Sequence, residues 1–192
     1  MQEALVPNLT RRLTQPSWLT NIVLVVLGSV FIALLAQVSV QLGFTPVPIT
    51  GQTLGVLLLG AAFGARRAAA SVLLYLAEGA LGAPVFAGGT GGVAVLAGPT
   101  AGYLAGFVVA AFVVGYLAEH GFDRRWLPAL FAFFVGDVII FIVGVAWLTV
   151  LFGFQTALSG GLLPFIPGEV VKIALAAILL PSAWMLVKRF ER

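Results

Sequence analysis

An acid and a base stand close together near the end of the chain, in a segment that is otherwise apolar. In "FIPGEVVKIA", Glu169 follows a proline and a glycine, and Lys172 lies three residues further on. Pro167 and Gly168 indicate the beginning of a helix, whose dipole favours an anion in the first turn. Side chains three residues apart project from the same helix face. The pattern therefore places one carboxylate acceptor beside one ammonium donor.

Two interpretations of this pair are open when it is considered alone. At a rise of 1.5 Å per residue, Lys172 lies roughly 7 Å inside the mouth of the helix. Glu169 can be a capping acid and Lys172 a neighbour whose ammonium group extends outward to water. Alternatively, the pair is a ligand site that is open to the outside.

Asp137, in "FFVGDVIIF", is further from any surface. It follows Arg125 by twelve residues, which is roughly 18 Å along a helix. A carboxyl group at that depth must face the bundle and find a partner, or stay protonated. Lys172 approaches from the opposite surface and could reach toward it. A structural pair between helices and direct contact with a ligand both remain open.

Other polar residues are weaker candidates. Gln52, in "PITGQTLG", either bonds the N-terminus of a helix or lines a pocket. Glu78, in "LYLAEGAL", is interpreted as a solvated helix end. The run "AGGTGG", which includes Gly88, Thr90 and Gly91, can expose successive N–H groups to a carboxylate.

Aromatic and small residues each allow two interpretations. Three aromatic residues either form the wall of a pocket or pack within the bundle: Phe86, Tyr103 and Trp147. Three small residues recur at helical spacing in the first apolar segment, and they suit close packing in this bundle or docking of a separate membrane subunit: Ser29, Ala33 and Ala36. The "GYLAG" pattern at residues 102–106 is typical of helix packing.

The composition identifies the kind of protein that holds these residues. The chain has 192 residues, of which 61% are hydrophobic and 9% are charged, against about 45–50% and about 25% in soluble domains. It is predicted to be a single integral membrane domain covering residues 1–192. The absence of cysteine and the single histidine, His120, exclude disulfides and Cys or His metal clusters. No metal and no cofactor is expected.

Charged residues divide the chain into three apolar blocks, each too long for one span of about 20 residues. Each block has a Gly- and Pro-rich break near its middle, at residues 43–51, at 79–92 followed by 97–102, and at 158–168. The sequence therefore predicts an all-α protein with six transmembrane helices, of which the second and third are short. The predicted helices cover residues 18–41, 50–64, 66–82, 99–118, 126–151 and 167–188.

The basic residues predict the orientation of these six helices. Nine of the ten fall on one face of the membrane if the chain crosses it six times, and the tenth is Lys172. The nine residues are Arg11, Arg12, Arg66, Arg67, Arg124, Arg125, Lys188, Arg189 and Arg192. Because basic loops stay on the inner side, both termini are predicted to be cytoplasmic.

Four segments, taken in order, resemble one known family. They are "TPVPITGQTLGVLLLG", "LGAPVFAGGTGG", "GPTAGYLAGF" and "IPGEVVKIALAA", and they are similar to the BioY family. These proteins are the biotin-specific substrate-binding components (S components) of energy-coupling factor (ECF) transporters. The resemblance implies a six-helix S-component fold in a prokaryotic cytoplasmic membrane. It also implies that the chain is a transport protein and not an enzyme.

The resemblance further implies the ligand and the partners. Biotin is the transported ligand, membrane lipid surrounds the chain, and nucleic acid is not a partner. A transmembrane T component and two ATP-binding subunits complete the transporter. The small-residue positions Ser29, Ala33 and Ala36 match the place where S components meet the T component.

The resemblance also assigns roles to individual residues. The family's proline-glycine-acid-x-x-lysine motif falls on residues 167–172, where Glu169 replaces the usual aspartate. In the family this acid and this lysine contact biotin, so Glu169 is expected to accept from a ureido N–H and Lys172 to donate to the ureido carbonyl. A swapped pose, with Lys172 on the carboxylate, is an alternative. The remaining expected contacts are Asp137, Gln52, Phe86, Gly88, Thr90, Gly91, Tyr103 and Trp147.

Three other functions compete with biotin uptake. An S component for another vitamin lacks a reason for the Glu169–Lys172 pair. A secondary transporter that works alone would use Asp137 as a proton carrier and would need no ATPase partner. An intramembrane enzyme has no support, because no predicted span contains histidine or cysteine.

Overall fold

The structure, a computed structural model, describes residues 4–13 and 18–189. Two pairs of residues form short antiparallel strands, and a 3-10 turn covers Ala87–Gly89. The elements in chain order are α1 (Leu5–Leu13), α2 (Trp18–Gln37), β1 (Ser39–Val40), β2 (Ile49–Thr50), α3 (Gln52–Phe63), α4 (Ala65–Ala80), α5 (Val93–Ala97), α6 (Ala101–Glu119), α7 (Trp126–Phe152), α8 (Phe154–Gly161) and α9 (Ile166–Arg189).

Among residues 4–13 and 18–189, four helices are long and apolar enough to cross a membrane: α2, α6, α7 and α9. Helices α3 and α4 have 12 and 16 residues, fewer than the about 20 that a full span needs. Large apolar side chains cover the outer faces of the long helices, as with Leu34, Phe134 and Ile142. The predicted helical class is confirmed, and the chain is a multi-pass membrane protein.

The predicted helices differ from the structure mainly where glycine and proline are frequent. The first predicted helix, which corresponds to α2, is predicted to reach residue 41. It ends at Gln37 because Ser39 and Val40 pair with Thr50 and Ile49. The segment 158–168 is predicted as a break between helices. Helix α8 occupies its first part and begins directly after Gly153, whose φ of 82° ends α7.

The packing of α6 on α7 depends on small residues. A Cβ on Gly106 would lie 3.0 Å from Ile140 Cα, and one on Gly102 would lie 2.7 Å from the Val143 carbonyl oxygen. On α7, a Cβ on Gly144 would overlap the Tyr103 ring. The predicted packing role of the pattern at residues 102–106 is confirmed, and the close approach positions Tyr103 between the helices.

A tight connection joins α3 to α4 through Gly64 alone. This residue has a φ of 83°, a conformation that favours glycine. Glu119, the last residue of α6, accepts a hydrogen bond from the Ala65 N–H at 3.0 Å, so the end of α6 caps the start of α4. Gly115 allows this contact, because a Cβ there would lie 2.6 Å from Ala65 Cα.

The small-residue positions of α2 face the bundle. Ser29 and Ala36 have no exposed surface, and α2 packs against α4. Ser29 donates a hydrogen bond to Glu78 of α4, so Glu78, predicted to be a solvated helix end, is half-buried in the last turn of α4 and has a partner in α2. Ser29 and Ala36 therefore pack within this bundle, whereas Ala33 is half-buried, and docking of a separate subunit on this face stays a prediction.

The C-terminal part of α9 is held by a polar contact with the connection between α6 and α7. Asp123, which is 2% exposed, accepts a hydrogen bond from the indole N–H of Trp184. The guanidinium carbon of Arg124 lies 4.6 Å from the centroid of the Trp184 ring. Burial raises the pKa of the Asp123 carboxyl. This cluster ties the connection between α6 and α7 to the last turns of α9.

The predicted set of nine basic residues is only partly described. Arg66 and Arg67 lie in the first turn of α4, and Arg124 and Arg125 directly precede α7. The side chains of Arg11, Arg12, Lys188 and Arg189, and all of Arg192, lie outside the described residues.

Replacement of Gly115 by alanine should separate α6 from the α3–α4 connection. The added methyl group meets backbone atoms that cannot rotate away, and overpacking of this kind costs about 1–3 kcal/mol. Thermal unfolding in detergent should show a lower melting temperature for Gly115→Ala. Gly43→Ala is the matched control, because a Cβ at Gly43 would have no atom of the described residues within 4 Å. Equal melting temperatures for the two variants would contradict the described packing.

Candidate functional site

A cavity of about 190 Å³ lies among α3, α6, α7 and α9. Its polar side contains Thr50, Gln52, Thr53, Glu169 and Lys172, and its other side is aromatic. The loop before β2 and the segment after α4 complete the lining through Gln41, Val47, Pro48, Phe86, Ala87 and Thr90. A mostly apolar cavity with a few grouped polar anchors is typical of a small-molecule site.

The acid and the base at the start of α9 form a buried ion pair. Lys172 Nζ lies 2.6 Å from Glu169 Oε1, and Glu169 is 3% exposed. The ammonium group also donates to the Thr50 carbonyl oxygen at 2.7 Å and to Thr53 Oγ1 at 2.9 Å. Thr53 in turn donates to Glu169 Oε2 at 2.9 Å. The lysine therefore points into the bundle and does not extend outward to water.

Local structure explains why these four groups meet. Glu169 lies in the first turn of α9, where the helix dipole favours a carboxylate. Thr50 ends β2, and its backbone carbonyl is turned to Lys172 directly before α3 begins. Thr53 lies in the first turn of α3. Two helix beginnings thus face each other across the polar side of the cavity.

Asp137 lies behind this pair and outside the cavity lining. It is 8% exposed, and its carboxyl interacts electrostatically with Glu169 and Lys172. Its Oδ1 atom is buried and has no hydrogen-bond partner among the described residues. The prediction that Asp137 faces the bundle near Lys172 agrees with this position, and its contact with a ligand stays a prediction.

The aromatic rings that line the cavity are held in place by contacts with residues that do not line it. Phe86 is 2% exposed and packs edge-on against Tyr75, with ring centroids 5.4 Å apart. Its ring occupies the space beside Gly79 that a Cβ would fill. Tyr103, Phe141 and Phe165 form a chain of ring contacts at 5.8 and 6.0 Å. These rings offer a preformed apolar surface to a ligand.

The glycine run beside Phe86 is folded back on the chain. The Gly92 N–H donates to the Gly79 carbonyl at 2.7 Å, and the Gly89 N–H donates to the Phe86 carbonyl at 3.1 Å. Two of the N–H groups that were expected to bind a carboxylate are therefore already bonded. Gly88 and Gly91 lie outside the cavity lining, whereas Thr90 is part of it.

The loop at residues 41–48 closes one side of the cavity. Thr45 is 5% exposed, and its hydroxyl donates to the Gly160 carbonyl of α8 at 2.6 Å. The same hydroxyl accepts from the Val47 N–H at 3.2 Å. These contacts hold Val47 and Pro48 against the cavity and connect the loop to α8.

The structure brings six of the ten predicted ligand-site residues together around one cavity: Gln52, Phe86, Thr90, Tyr103, Glu169 and Lys172. Trp147 does not line it, and the indole N–H donates to the Gly98 carbonyl at 2.9 Å. Thr50 and Thr53 line the cavity but were not predicted, although both lie in the segment "TPVPITGQTLGVLLLG" and Thr53 follows Gln52 directly. Phe107, Phe141 and Phe165 were also not predicted.

Comparison with known proteins now decides the family. The sequence matches the BioY family over residues 7–189, which is almost the entire chain. The chain belongs to the BioY family. The resemblance based on four short segments is thereby confirmed.

Individual members of the BioY family are similar over most of their length. The biotin transporter BioY of Rhizobium etli is 42% identical over 163 residues, which cover 79% of this chain and 86% of that protein. A probable biotin transporter BioY of Pyrococcus horikoshii is 41% identical over 156 residues, covering 80% and 91% of the two chains.

A solved structure shares the fold. The crystal structure of the S-component for biotin from an ECF-type ABC transporter superposes with a TM-score of 0.79 at 28% sequence identity. The match covers 88% of this chain and 93% of the other. Membership of the BioY family thus agrees with the S-component fold, and the chain is a transport protein of the cell membrane.

Thr53 should be required for the stability of the polar cluster. Valine has nearly the same shape, but Thr53→Val leaves a Glu169 oxygen and a Lys172 N–H without their partner, at a cost of about 1–3 kcal/mol. Thermal unfolding in detergent without ligand should show a lower melting temperature. Thr149→Val is the matched control, because the Thr149 hydroxyl donates to the Val145 carbonyl of its own helix. A Thr53→Val variant as stable as this control would contradict the network.

Proposed function

We propose that this chain binds biotin from outside the cell and is the substrate-specific component of an ECF-type transporter. The observation that carries the proposal is the buried Glu169–Lys172 pair in the wall of a partly aromatic cavity. Membership of the BioY family supports it, since the Rhizobium etli relative is named a biotin transporter. Further support comes from the solved structure that shares the fold, which is an S-component for biotin.

The chemistry of biotin suits both sides of the cavity. Its ureido ring has two N–H donors and one carbonyl acceptor, its thioether ring is apolar, and its side chain ends in a carboxylate. Glu169 can accept a ureido N–H without losing a bond, because a carboxylate has about four acceptor positions and two are in use. The aromatic side, including Phe86 and Phe141, can cover the thioether ring.

Lys172 must exchange a bond in order to hold the ligand. An ammonium group has three N–H donors, and Thr50, Thr53 and Glu169 accept all three. Donation to the ureido carbonyl therefore requires release of one of these partners. The Thr50 carbonyl is the simplest group to release, because it is a single backbone oxygen at the end of β2.

Energy for uptake is expected from other subunits. The sequence has no glycine-lysine-serine or -threonine signature of a phosphate-binding loop. Partners in this proposal are a transmembrane T component and two ATP-binding subunits. Release inside requires a second state that binds biotin less tightly, since only differential affinity lets energy input move the ligand.

We further propose six membrane crossings with both termini in the cytoplasm. Helices α3 and α4 would form the second and third crossings as a pair of short helices in direct succession. The positions of Arg66, Arg67, Arg124 and Arg125 at the starts of α4 and α7 support this arrangement, because basic residues favour the inner side.

Cysteine labelling can test the topology without background, because the natural chain contains no cysteine. Arg66→Cys and Arg125→Cys should react with a membrane-impermeant maleimide only after intact cells are opened. Leu81→Cys and Val93→Cys, at positions 90% and 67% exposed, should react in intact cells. Labelling of both pairs from the same side would overturn the six-crossing proposal.

Binding can be tested by thermal shift of the full chain in detergent against biotin, thiamin and riboflavin. A ligand at about a thousandfold excess over its Kd stabilises the folded state by about 4 kcal/mol. Biotin should raise the melting temperature and the other two vitamins should not. A shift with thiamin or riboflavin and none with biotin would overturn the assignment.

The Lys172→Ala variant should lower biotin affinity at least about tenfold, as expected for loss of a charged hydrogen bond of about 1.5–3 kcal/mol. Isothermal titration in detergent gives the affinity. Arg66→Ala is the matched control, since this exposed basic residue lies at the other end of the bundle. Unchanged affinity in a folded Lys172→Ala variant would exclude Lys172 from the binding site.

A further inference from the structure

The polar cluster contains more acid than base. Glu169 and Lys172 form the ion pair, and Asp137 is a second carboxyl group in electrostatic contact with both. With all three ionised, the buried cluster would have a net charge of −1. An uncompensated charge in a buried site costs several kcal/mol.

Lys172 has no N–H left for Asp137. Its three donors are accepted by the Thr50 carbonyl, Thr53 Oγ1 and Glu169 Oε1. The Asp137 carboxyl instead neighbours the Glu169 carboxylate, and both groups are buried, at 8% and 3% exposure. Two carboxyl groups in this position have only acceptor atoms when both are ionised, so one proton between them is what turns repulsion into a hydrogen bond.

No other described charge can take the place of this proton. Of the helices that pack against α7, α3 and α8 have no ionisable residue, and α9 contributes Glu169 and Lys172 at this level. Helix α6 contributes Tyr103, whose hydroxyl donates to the Gly161 carbonyl, and Glu119, which caps α4. Its other ionisable residue, Tyr116, is 47% exposed on the outer face. The second Asp137 oxygen, Oδ1, has no partner in the part of the chain that the structure describes.

We infer that Asp137 and Glu169 share one proton, and that this proton is required for tight binding of the ligand at the Glu169–Lys172 pair. Asp137 is then a positioning residue: through the shared proton it hydrogen-bonds the Glu169 carboxyl group, while Glu169 faces the cavity. The inference deepens the proposed function and rests on it, because biotin is the probe. The species bound between Asp137 and Glu169 is a proton. The Glu169–Lys172 ion pair by itself would not need it.

The sign of the effect follows from the charge balance. Loss of the proton adds a negative charge beside Glu169, repels its carboxylate and draws Lys172 from its partners. Biotin is itself an anion above about pH 5, so the added charge also opposes the ligand. Affinity should therefore be highest at low pH and fall as the pH rises.

The test is isothermal titration of the full chain with biotin in detergent between about pH 5.5 and about pH 9. Biotin should bind at the lowest pH, and above the transition the Kd should rise by up to about tenfold per pH unit, the limit for one proton. Asp137→Asn supplies a permanent N–H donor and should remove the pH dependence of the Kd. Asp123→Asn, which changes a buried acid at the other end of α9, should keep the pH dependence of the unmodified chain.

The outcomes separate the two proposals. Absence of biotin binding at every pH in the unmodified chain contradicts the proposed function. Tight binding that does not vary with pH, or a pH dependence that persists in Asp137→Asn, overturns the shared proton alone.

If Asp137→Asn does not fold, a second experiment on the unmodified chain decides. Biotin is titrated at a pH above the transition in two buffers of different ionisation enthalpy, which gives the number of protons taken up per biotin bound. Uptake of up to one proton per biotin supports the inference, and no uptake overturns it.

Discussion

Burying a lysine and a glutamate in an apolar bundle costs several kcal/mol per ion unless each charge is paired and its remaining hydrogen-bonding positions are filled. This requirement explains the arrangement of the two helix beginnings. Lys172 needs three acceptors, and it takes one from its own helix, one from the side chain of Thr53 and one from the backbone of Thr50. The start of α3 must therefore lie beside the start of α9.

The two-residue strands follow from the same requirement. Pairing of Ser39 and Val40 with Thr50 and Ile49 ends α2 early and fixes the backbone of Thr50. Its carbonyl is then free of helical bonds and available to the ammonium group. A longer α2 would have left the Thr50 carbonyl oxygen without a defined position. The departure from the predicted helix at residues 38–41 is thus part of how the site is built.

Much of the architecture could be predicted because lipid allows few backbone structures. A chain without water must satisfy its N–H and C=O groups internally, so long apolar blocks with breaks indicate helices. The acid–lysine pair was also found from sequence, since charge in an apolar segment needs a reason. The role of Thr53 could not be found in this way, because threonine is common in membrane helices and its partners lie 116 and 119 residues away along the chain. The packing of Ser29 stayed undecided for a related reason, since a stripe of small residues does not identify the helix that packs against it.

The bond from Thr45 to Gly160 has a consequence for kinetics. The loop at residues 41–48 cannot move from the cavity as a free flap, because the Thr45 hydroxyl is buried and bonded to α8. If a ligand passes this loop, each arrival and each departure must break that bond, which is worth about 1 kcal/mol net, or about fivefold in the population of the open loop. A molecule inside the cavity then stays longer without any additional contact of its own. The residence time would thus depend in part on a threonine that does not touch it.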